Sequence, residues 1–284
     1  MLATSQVARR PDPLTANPGA LAPQALSATP PSFQHTIKYD YDSLYRLTSA
    51  NYCWGYVAAR PVSNAYRDYN YGYDLMGNRT QAQAWVNGQE AQNVAYFYNP
   101  ANQLDYSTDY LTNQTTNYNY DLAGRLTSYG SVSLQWDAEN RLTTYTEPGR
   151  TTAYAYTGYG DRYQQTVNGI ETSYVLDYAT GLTQVLAETT NSQATNYLTG
   201  VGQQQGPIWS YYNADGLGSV RQMTDASGAV TYRASYEPYG TPFEQWPNPQ
   251  AAATVGFTGE QTDANDLIYL RARYYDPYRH GTSR

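Results

Sequence analysis

From Ile37 to about Arg162 the chain alternates aromatic or apolar residues with polar ones in short runs, most of them ending at Asp or Asn. The clearest copy is Tyr118-Asn-Tyr120-Asp121-Leu-Ala-Gly124-Arg125-Leu126-Thr127. Tyr39 to Thr48 with Asp42, Tyr71 to Thr80 with Asp74, and Tyr96 to Leu104 with Asn99 repeat it. So do Leu134 to Thr143 with Asp137 and, in degenerate form, Tyr154 to Arg162. Tyr-x-Tyr puts two rings on one face of a strand, because side chains alternate with period two. Asp or Asn closes a turn by bonding its side chain to nearby N–H groups. Gly or Asn three residues later supplies the left-handed backbone that the turn needs. Arg-Leu-Thr starts the returning strand, so each copy predicts one β-hairpin. A lone hairpin is marginal in water, and the six must pair edge to edge through cross-strand contacts of ~0.2–1 kcal/mol each. Their uneven spacing suits hairpins with loops of varying length rather than a solenoid of fixed rung.

Later residues read differently. Ser219 to Thr224, the turn Asp225-Ala-Ser-Gly228 and Ala229 to Tyr236 predict a hairpin. On its second strand Val230, Tyr232, Ala234 and Tyr236 form a buried face, with Thr231, Arg233, Ser235 and Glu237 on the wet one. Glu237-Pro238-Tyr239-Gly240 stops that strand. Phe257-Thr258-Gly259 and Leu267 to Tyr275 predict a further strand pair around the polar turn Thr262 to Asp266. At the other end, residues 1–35 are rich in Pro, Ala, Ser and Thr without periodicity, which predicts a disordered arm. The expected organisation is an arm over 1–35, a repeat sheet over 36–205, a β core over 206–280 and a tail over 281–284. The fold class is all-β: consecutive antiparallel hairpins in a curved, Tyr-rich sheet, a partial shell, with a C-terminal β core segment.

Composition sharpens this picture. The 284 residues contain 33 Tyr against 4 Phe. A phenol brings a large apolar body whose hydroxyl needs a partner or water, so Tyr at this density implies a thin wall rather than an oily core. Net charge is −7, Lys38 is the single lysine, and no basic stripe supports nucleic-acid binding. Cys53 is alone and forms no intrachain disulfide. His35 and His280 lack Cys or paired carboxylates at ligand spacing, so no metal site and no cofactor are expected. No apolar run is long enough for a bilayer span, and the N-terminus shows no secretory signal, so any export address would lie elsewhere.

The Tyr-Asp hairpins resemble the YD repeats of bacterial Rhs (rearrangement hotspot) proteins, toxin-complex C subunits, wall-associated proteins and the teneurin shell. The last stretch resembles the Rhs repeat-associated core. The motifs that carry this are Tyr212-Asn-Ala-Asp215-Gly216-Leu217-Gly218-Ser219-Val220-Arg221, Tyr236-Glu-Pro238-Tyr239-Gly240, Phe257-Thr258-Gly259 and Leu270-Arg271-Ala272-Arg273-Tyr274-Tyr275-Asp276-Pro277. The resemblance covers about residues 37 to 278. It implies a sheet wound into a hollow shell that, in toxin members, encloses a C-terminal effector, with the core closing one end. It also implies secretion or display at the cell surface.

Many members release the effector by self-cleavage at an aspartic-protease-like site. The resemblance assigns that work to two aspartates in later Asp-Pro motifs and to an arginine that matches Arg273. After Pro277 the chain reads Tyr-Arg-His-Gly-Thr-Ser-Arg, so both aspartates would lie beyond Arg284. Asp276 matches a structural position, and a dyad needs two carboxylates close enough to share a proton. Arg271 and Arg273, at period two, are expected on one strand face, where arginines pair with carboxylates. Asp42, Asp74, Asp121, Gly124, Asp137, Asp215, Gly218, Arg221 and Gly240 are likewise expected in structural roles. Gly216 to Ser219 lacks a following helix and a lysine and reads as a turn, not a phosphate cradle.

The function expected is therefore structural and not enzymatic: a shell segment of an Rhs-type toxin or cell-surface YD-repeat protein, enclosing or presenting a C-terminal effector. Six hairpins are too few for a large cavity. The chain is expected to be a fragment that pairs with other YD-repeat segments or its own flanking regions, and its open edges to favour self-association. Two alternatives stay open. One is a carbohydrate-binding surface module, using Trp54, Trp85, Trp136, Trp209, Trp246 and the tyrosines to stack on glycans. The other is a self-cleaving aspartic-type protease.

Overall fold

The structure, a computed structural model, describes residues 2–3, 35–54, 65–179, 181–246, 254–279 and 281–283. Most of the arm expected over residues 1–35 lies outside the described residues, as does His280. The chain divides into two compact units, residues 1–115 and 116–284. All strand pairs in both are antiparallel, and the hairpin meander is the one the repeats predict.

In the first unit His35–Tyr41, Leu47–Trp54, Ala65–Tyr73, Arg79–Val86, Gln89–Tyr98 and Leu104–Asp109 each pair with the next. Period two sorts the side chains. Ala50, Tyr69 and Ala84 stand in one cross-strand row and are almost solvent-free, with Tyr52, Tyr71 and Ala82 beside them. Small residues flanking the tyrosines leave room for rings to lie against the sheet, and Tyr52 meets Tyr69 edge-on at 5.5 Å. The opposite face is polar. Lys38, Asn51, Asp68 and Trp85 form one row across it, and Asp40, Ser49, Asn70 and Gln83 a second.

In the second unit the meander runs from Gln114–Tyr120 to Pro242–Trp246, every strand paired with its chain neighbour. It continues across residues 205–206, where Gly202–Gln205 pairs with Ile208–Ala214. The expected hairpin is present as Val220–Thr224 and Val230–Tyr236, with Val220, Met223, Tyr232, Ala234 and Tyr236 clustered in its core. A bulge precedes most of the Asp-type turns, at Trp136, Tyr156 and Tyr236 for instance, and bulges bend and twist the strands that carry them. Four short strands, Gln261–Thr262, Ile268–Tyr269, Tyr274–Asp276 and Gly281–Ser283, make a separate small sheet.

Two local expectations are corrected here. Phe257–Gly259 is a 3-10 turn rather than a strand, because Thr258 takes a left-handed φ of 54°. The run Leu267 to Tyr275 is two strands and a turn. Arg271 has a φ of 60°, and the Leu270 N–H donates to the Arg273 carbonyl at 2.8 Å. Arg271 and Arg273 therefore do not share a strand face.

The two edges of the meander use different turns. Asn87-Gly88 and Asn168-Gly169 close two-residue loops with both φ values positive, which match the twist of the flanking strands. Within the first unit the turns at Asp42, Asp74 and Asn99 lie at the edge opposite Asn87-Gly88, and within the second those at Asp121, Asp137 and Asp215 lie opposite Asn168-Gly169, whereas the turn at Asp225 shares the Asn168-Gly169 edge.

Candidate functional site

The Asp-type turns show what the repeat encodes. The Asp121 N–H donates to the Arg125 carbonyl at 3.0 Å, and the Gly124 N–H donates back to Asp121 at 2.9 Å. One Asp121 oxygen accepts the N–H groups of Ala123 and Arg125, and the other accepts Arg125 Nε at 2.6 Å. Asp42 with Arg46 and Asp137 with Arg141 repeat this arrangement, and Asp74 uses Asn78 instead. The N–H of the fourth residue holds the Asp42 and Asp121 carboxyls below their ordinary range, and the Asn78 amide does so for Asp74. At Asp137 desolvation opposes the shift, and the Arg141 N–H and guanidinium together overcome it.

Neighbouring turns are then stitched together. Arg46 donates to the Asp74 carbonyl and Arg125 to the Asp137 carbonyl, each at 2.7 Å. In four copies the aromatic residue just before the turn donates to the carbonyl of the residue following the Arg or Asn position in the preceding copy. These bonds are Tyr73 to Leu47 (2.7 Å), Tyr98 to Arg79 (3.0 Å), Trp136 to Leu126 (2.7 Å) and Tyr156 to Leu142 (2.6 Å). The phenol gets its polar partner there, which is a physical reason for Tyr over Phe at this position.

The remaining motif residues are spread over the second unit. Asp215 caps its turn and pairs with Arg221 Nε at 3.1 Å, while Gly218 has φ 86°. Gly240 has φ 97°, and a Cβ there would lie 2.6 Å from the Phe257 ring. Arg271 pairs with Glu260 and donates to the Thr183 carbonyl at 3.2 Å. Asp276 pairs with Arg279 at 2.8 Å and accepts the Tyr129 hydroxyl at 3.4 Å. The Arg273 side chain is exposed.

The group that does converge is one the repeat pattern passed over. Arg162 and Asp263, about 1% and 2% exposed, pair at 2.5 Å. A second nitrogen of Arg162 donates to Gln261 Oε1 at 3.3 Å, and its backbone N–H donates to the Tyr269 hydroxyl at 3.0 Å. The guanidinium lies 4.1 Å from the Tyr269 ring centre, 4.9 Å from Tyr174, 5.5 Å from Tyr154 and 5.8 Å from Tyr274. Rings are favourable neighbours for a desolvated cation. Around this centre Asn265 donates to the Tyr154 hydroxyl at 2.9 Å, and the hydroxyls of Tyr156 and Tyr274 meet at 3.1 Å. Thr241 donates to the Pro277 carbonyl, Tyr275 to the Tyr239 carbonyl, and Arg150 to the Ala264 carbonyl. The small sheet is thereby latched onto the meander at several points.

Burial pushes the Asp263 carboxyl above its ordinary value, and the guanidinium only partly offsets this. Burial likewise raises Glu188, which accepts the Thr254 hydroxyl at 3.4 Å, and raises the phenols of Tyr154 and Tyr274. A permanently charged guanidinium ringed by phenols donates hydrogen bonds and holds an anion. That is the chemistry of an anchor. The sequence holds only a partial signal for it. Counting from the first turn residue, Arg162 occupies the position held elsewhere by Leu47, Leu104, Leu126 and Leu142, and in one copy by Arg79. Leu142, in the copy just before it, is about 1% exposed, whereas Leu47, Arg79, Leu104 and Leu126 are half-buried, so the register permits a fully buried residue here without requiring one.

No protein-family profile matches the chain. A toxin subunit, YenC1 of Yersinia entomophaga, is 27% identical over an alignment covering 84% of this chain and 30% of that protein. The chain is similar to bacterial toxin proteins. The tRNA3(Ser)-specific nuclease WapA of Bacillus spizizenii is 31% identical over 222 residues, 73% of this chain and 9% of WapA. The chain thus spans about a tenth of WapA and under a third of YenC1. In fold it resembles part of the TcdB2-TccC3-TEV crystal structure, with a TM-score of 0.52, 17% identity, and coverage of 86% of this chain and 15% of that one. Among the described residues no helix is long and apolar enough to cross a membrane, and no cluster of His, Cys, Asp and Glu could hold a metal ion.

Proposed function

We propose that this chain is a wall-and-core segment of an Rhs-type YD-repeat shell. It belongs to a secreted or surface-displayed toxin, and it helps to enclose or present an effector that is not itself part of the segment. The observation that carries this reading is the latch. The segment around the Arg273-Tyr-Tyr-Asp276 motif is fixed to the hairpin meander by a buried ion pair, as the closing end of a container would be. The similarity to YenC1, named a toxin subunit, supports the toxin setting. WapA is named a tRNA nuclease; this acidic, basic-stripe-free chain is proposed to correspond to a shell part of that protein rather than to nucleic-acid contact.

The role is structural rather than catalytic. Intact mass after prolonged incubation is expected to stay that of the full chain, in the wild type and in Arg273→Ala alike. A clipped product that disappears in Arg273→Ala would overturn this. Enclosure is tested by fusing an unfolded reporter beyond Arg284. The reporter should be digested more slowly than on an unrelated β-sheet carrier, and equal digestion would sink the shell reading.

A further inference from the structure

The polar face of the first unit is a shallow, open depression rather than an enclosed cleft. It is lined by Lys38, Asp40, Ser49, Asn51, Asp68 and Asn70, with Trp85 at one end. The polar groups are already set in place. Lys38 pairs with Asp40, Ser49 donates to Asp40 at 3.1 Å, and Asn51 donates to Asp68 at 2.8 Å. Asn51 is only 8% exposed although it stands on an open face, so its amide is held at a fixed angle.

Trp85 differs from the other tryptophans whose side chains are described. Trp54 stacks on Tyr66 at 4.3 Å, Trp209 stacks on Tyr211 at 6.0 Å, and Trp136 donates to Leu126. Among the described residues Trp85 stacks on no other ring, and it sits directly across from Asp68 in the strand register.

We propose that this face binds a neutral, extended oligosaccharide, with Trp85 under one sugar ring and the two polar rows bonding its hydroxyls. This goes beyond the shell reading and is independent of it. Carboxylate, amide, hydroxyl and ammonium groups side by side suit hydroxyls that both donate and accept. The rows step across strands at ~4.8 Å, close to the advance of one pyranose ring along an extended glycan. With Lys38 neutralised by Asp40, Asp68 leaves the basin negative, which disfavours phosphorylated or acidic glycans and nucleic acid. Extended peptides bind mainly by main-chain hydrogen bonds at sheet edges, which a sheet face does not supply.

The test is calorimetric titration of the full chain with cellohexaose, mannohexaose and chitohexaose, each also followed by tryptophan fluorescence. At least one probe is expected to bind saturably. Binding should weaken about tenfold or more in Trp85→Ala, fall in Asp68→Asn and Asn70→Ala, and persist in Trp209→Ala. Circular dichroism controls for folding of Trp85→Ala, while the exposed-face variants Asp68→Asn and Asn70→Ala keep the backbone intact. Failure of all three sugars to bind overturns the proposal, as does equal binding by Trp85→Ala or loss in Trp209→Ala only. Concentration-dependent self-association abolished by Trp85→Ala would assign the face to a second copy and also overturn it.

Discussion

The chain uses aspartate with arginine in two ways, and the rim and the interior of the second unit show how differently the same pair behaves. At the rim the partners are four residues apart, each side chain about a quarter exposed, and the carboxylate is also shared with two backbone N–H groups. Such a pair adds little as an ion pair, typically 0–1 kcal/mol, and acts mainly by shaping a turn. In the interior Arg162, in a strand, and Asp263, in a turn, are 101 residues apart in the chain and exclude water almost completely. Desolvation there cancels much of the Coulomb gain, so the pair adds little net stability over two apolar residues. Losing one partner alone is costly. Rim pairs therefore set local geometry, whereas the interior pair specifies which distant segment docks.

The largest expected effect follows from this asymmetry. Asp263→Ala strands a buried cation and should destabilise the second unit by about 3–5 kcal/mol in denaturant unfolding. Arg162→Leu combined with Asp263→Leu, which restores the repeat's own residue at 162, should recover most of that loss. If the double variant is no better than Asp263→Ala, the interior pair is a true stabiliser and the contrast with the rim collapses. Gly240→Ala comes next, at about 2–4 kcal/mol, because left-handed strain adds to overpacking against Phe257. Asp121→Ala should cost about 1–2 kcal/mol through two orphaned N–H groups, as loss of a cap does elsewhere. Gly77→Ala has a similar φ of 91° and open space around it, so about 1 kcal/mol is expected in thermal melts. An equal cost at Gly77 and Gly240 would remove Phe257 from the account.

The subtlest contrast is in pH. Rim carboxyls have lowered folded pKa values, so their contribution is present above the ordinary 3.8 and is lost as pH falls through the folded values. Glu188 is raised by burial, so its contribution is complete below the ordinary 4.5 and is lost as pH rises through its folded value. As pH rises, Asp121→Asn should fall further behind the wild type, while the difference for Glu188→Gln should move in the variant's favour. Unfolding curves across acid pH measure both slopes, and parallel slopes would contradict the assignment.

The hairpins were legible because their causes are local. Tyr-x-Tyr sets the face, Asp the cap and Gly124 the left-handed turn, all within ten residues. The latch was not legible because its partners lie in different supersecondary units, and each looks ordinary alone: Asp263 in a polar turn, Arg162 in a worn copy of the repeat. The register puts Arg162 where Leu142 is buried in another copy, but Arg79 holds the same register and stays half-buried, so the pattern alone does not single Arg162 out. Phe257-Thr258-Gly259 looked like a strand from composition, yet the turn is fixed by packing against Gly240 and by the Thr258 N–H donating to the Ser219 hydroxyl, contacts that no local pattern encodes.

The stitching of a turn to its neighbour within each unit also bears on how the gene can change. A copy whose bonds reach only its immediate neighbours can be duplicated or deleted by recombination, and the new junction re-forms the same aromatic-to-carbonyl and arginine-to-carbonyl bonds. The copy bearing Arg162 is excluded from that exchange: moved or doubled, it would carry its cation to a place with no Asp263. Repeat number is therefore expected to vary more readily on the N-terminal side of this hairpin, whereas the hairpins between Arg162 and Asp263 must change in concert if the ion pair is to form.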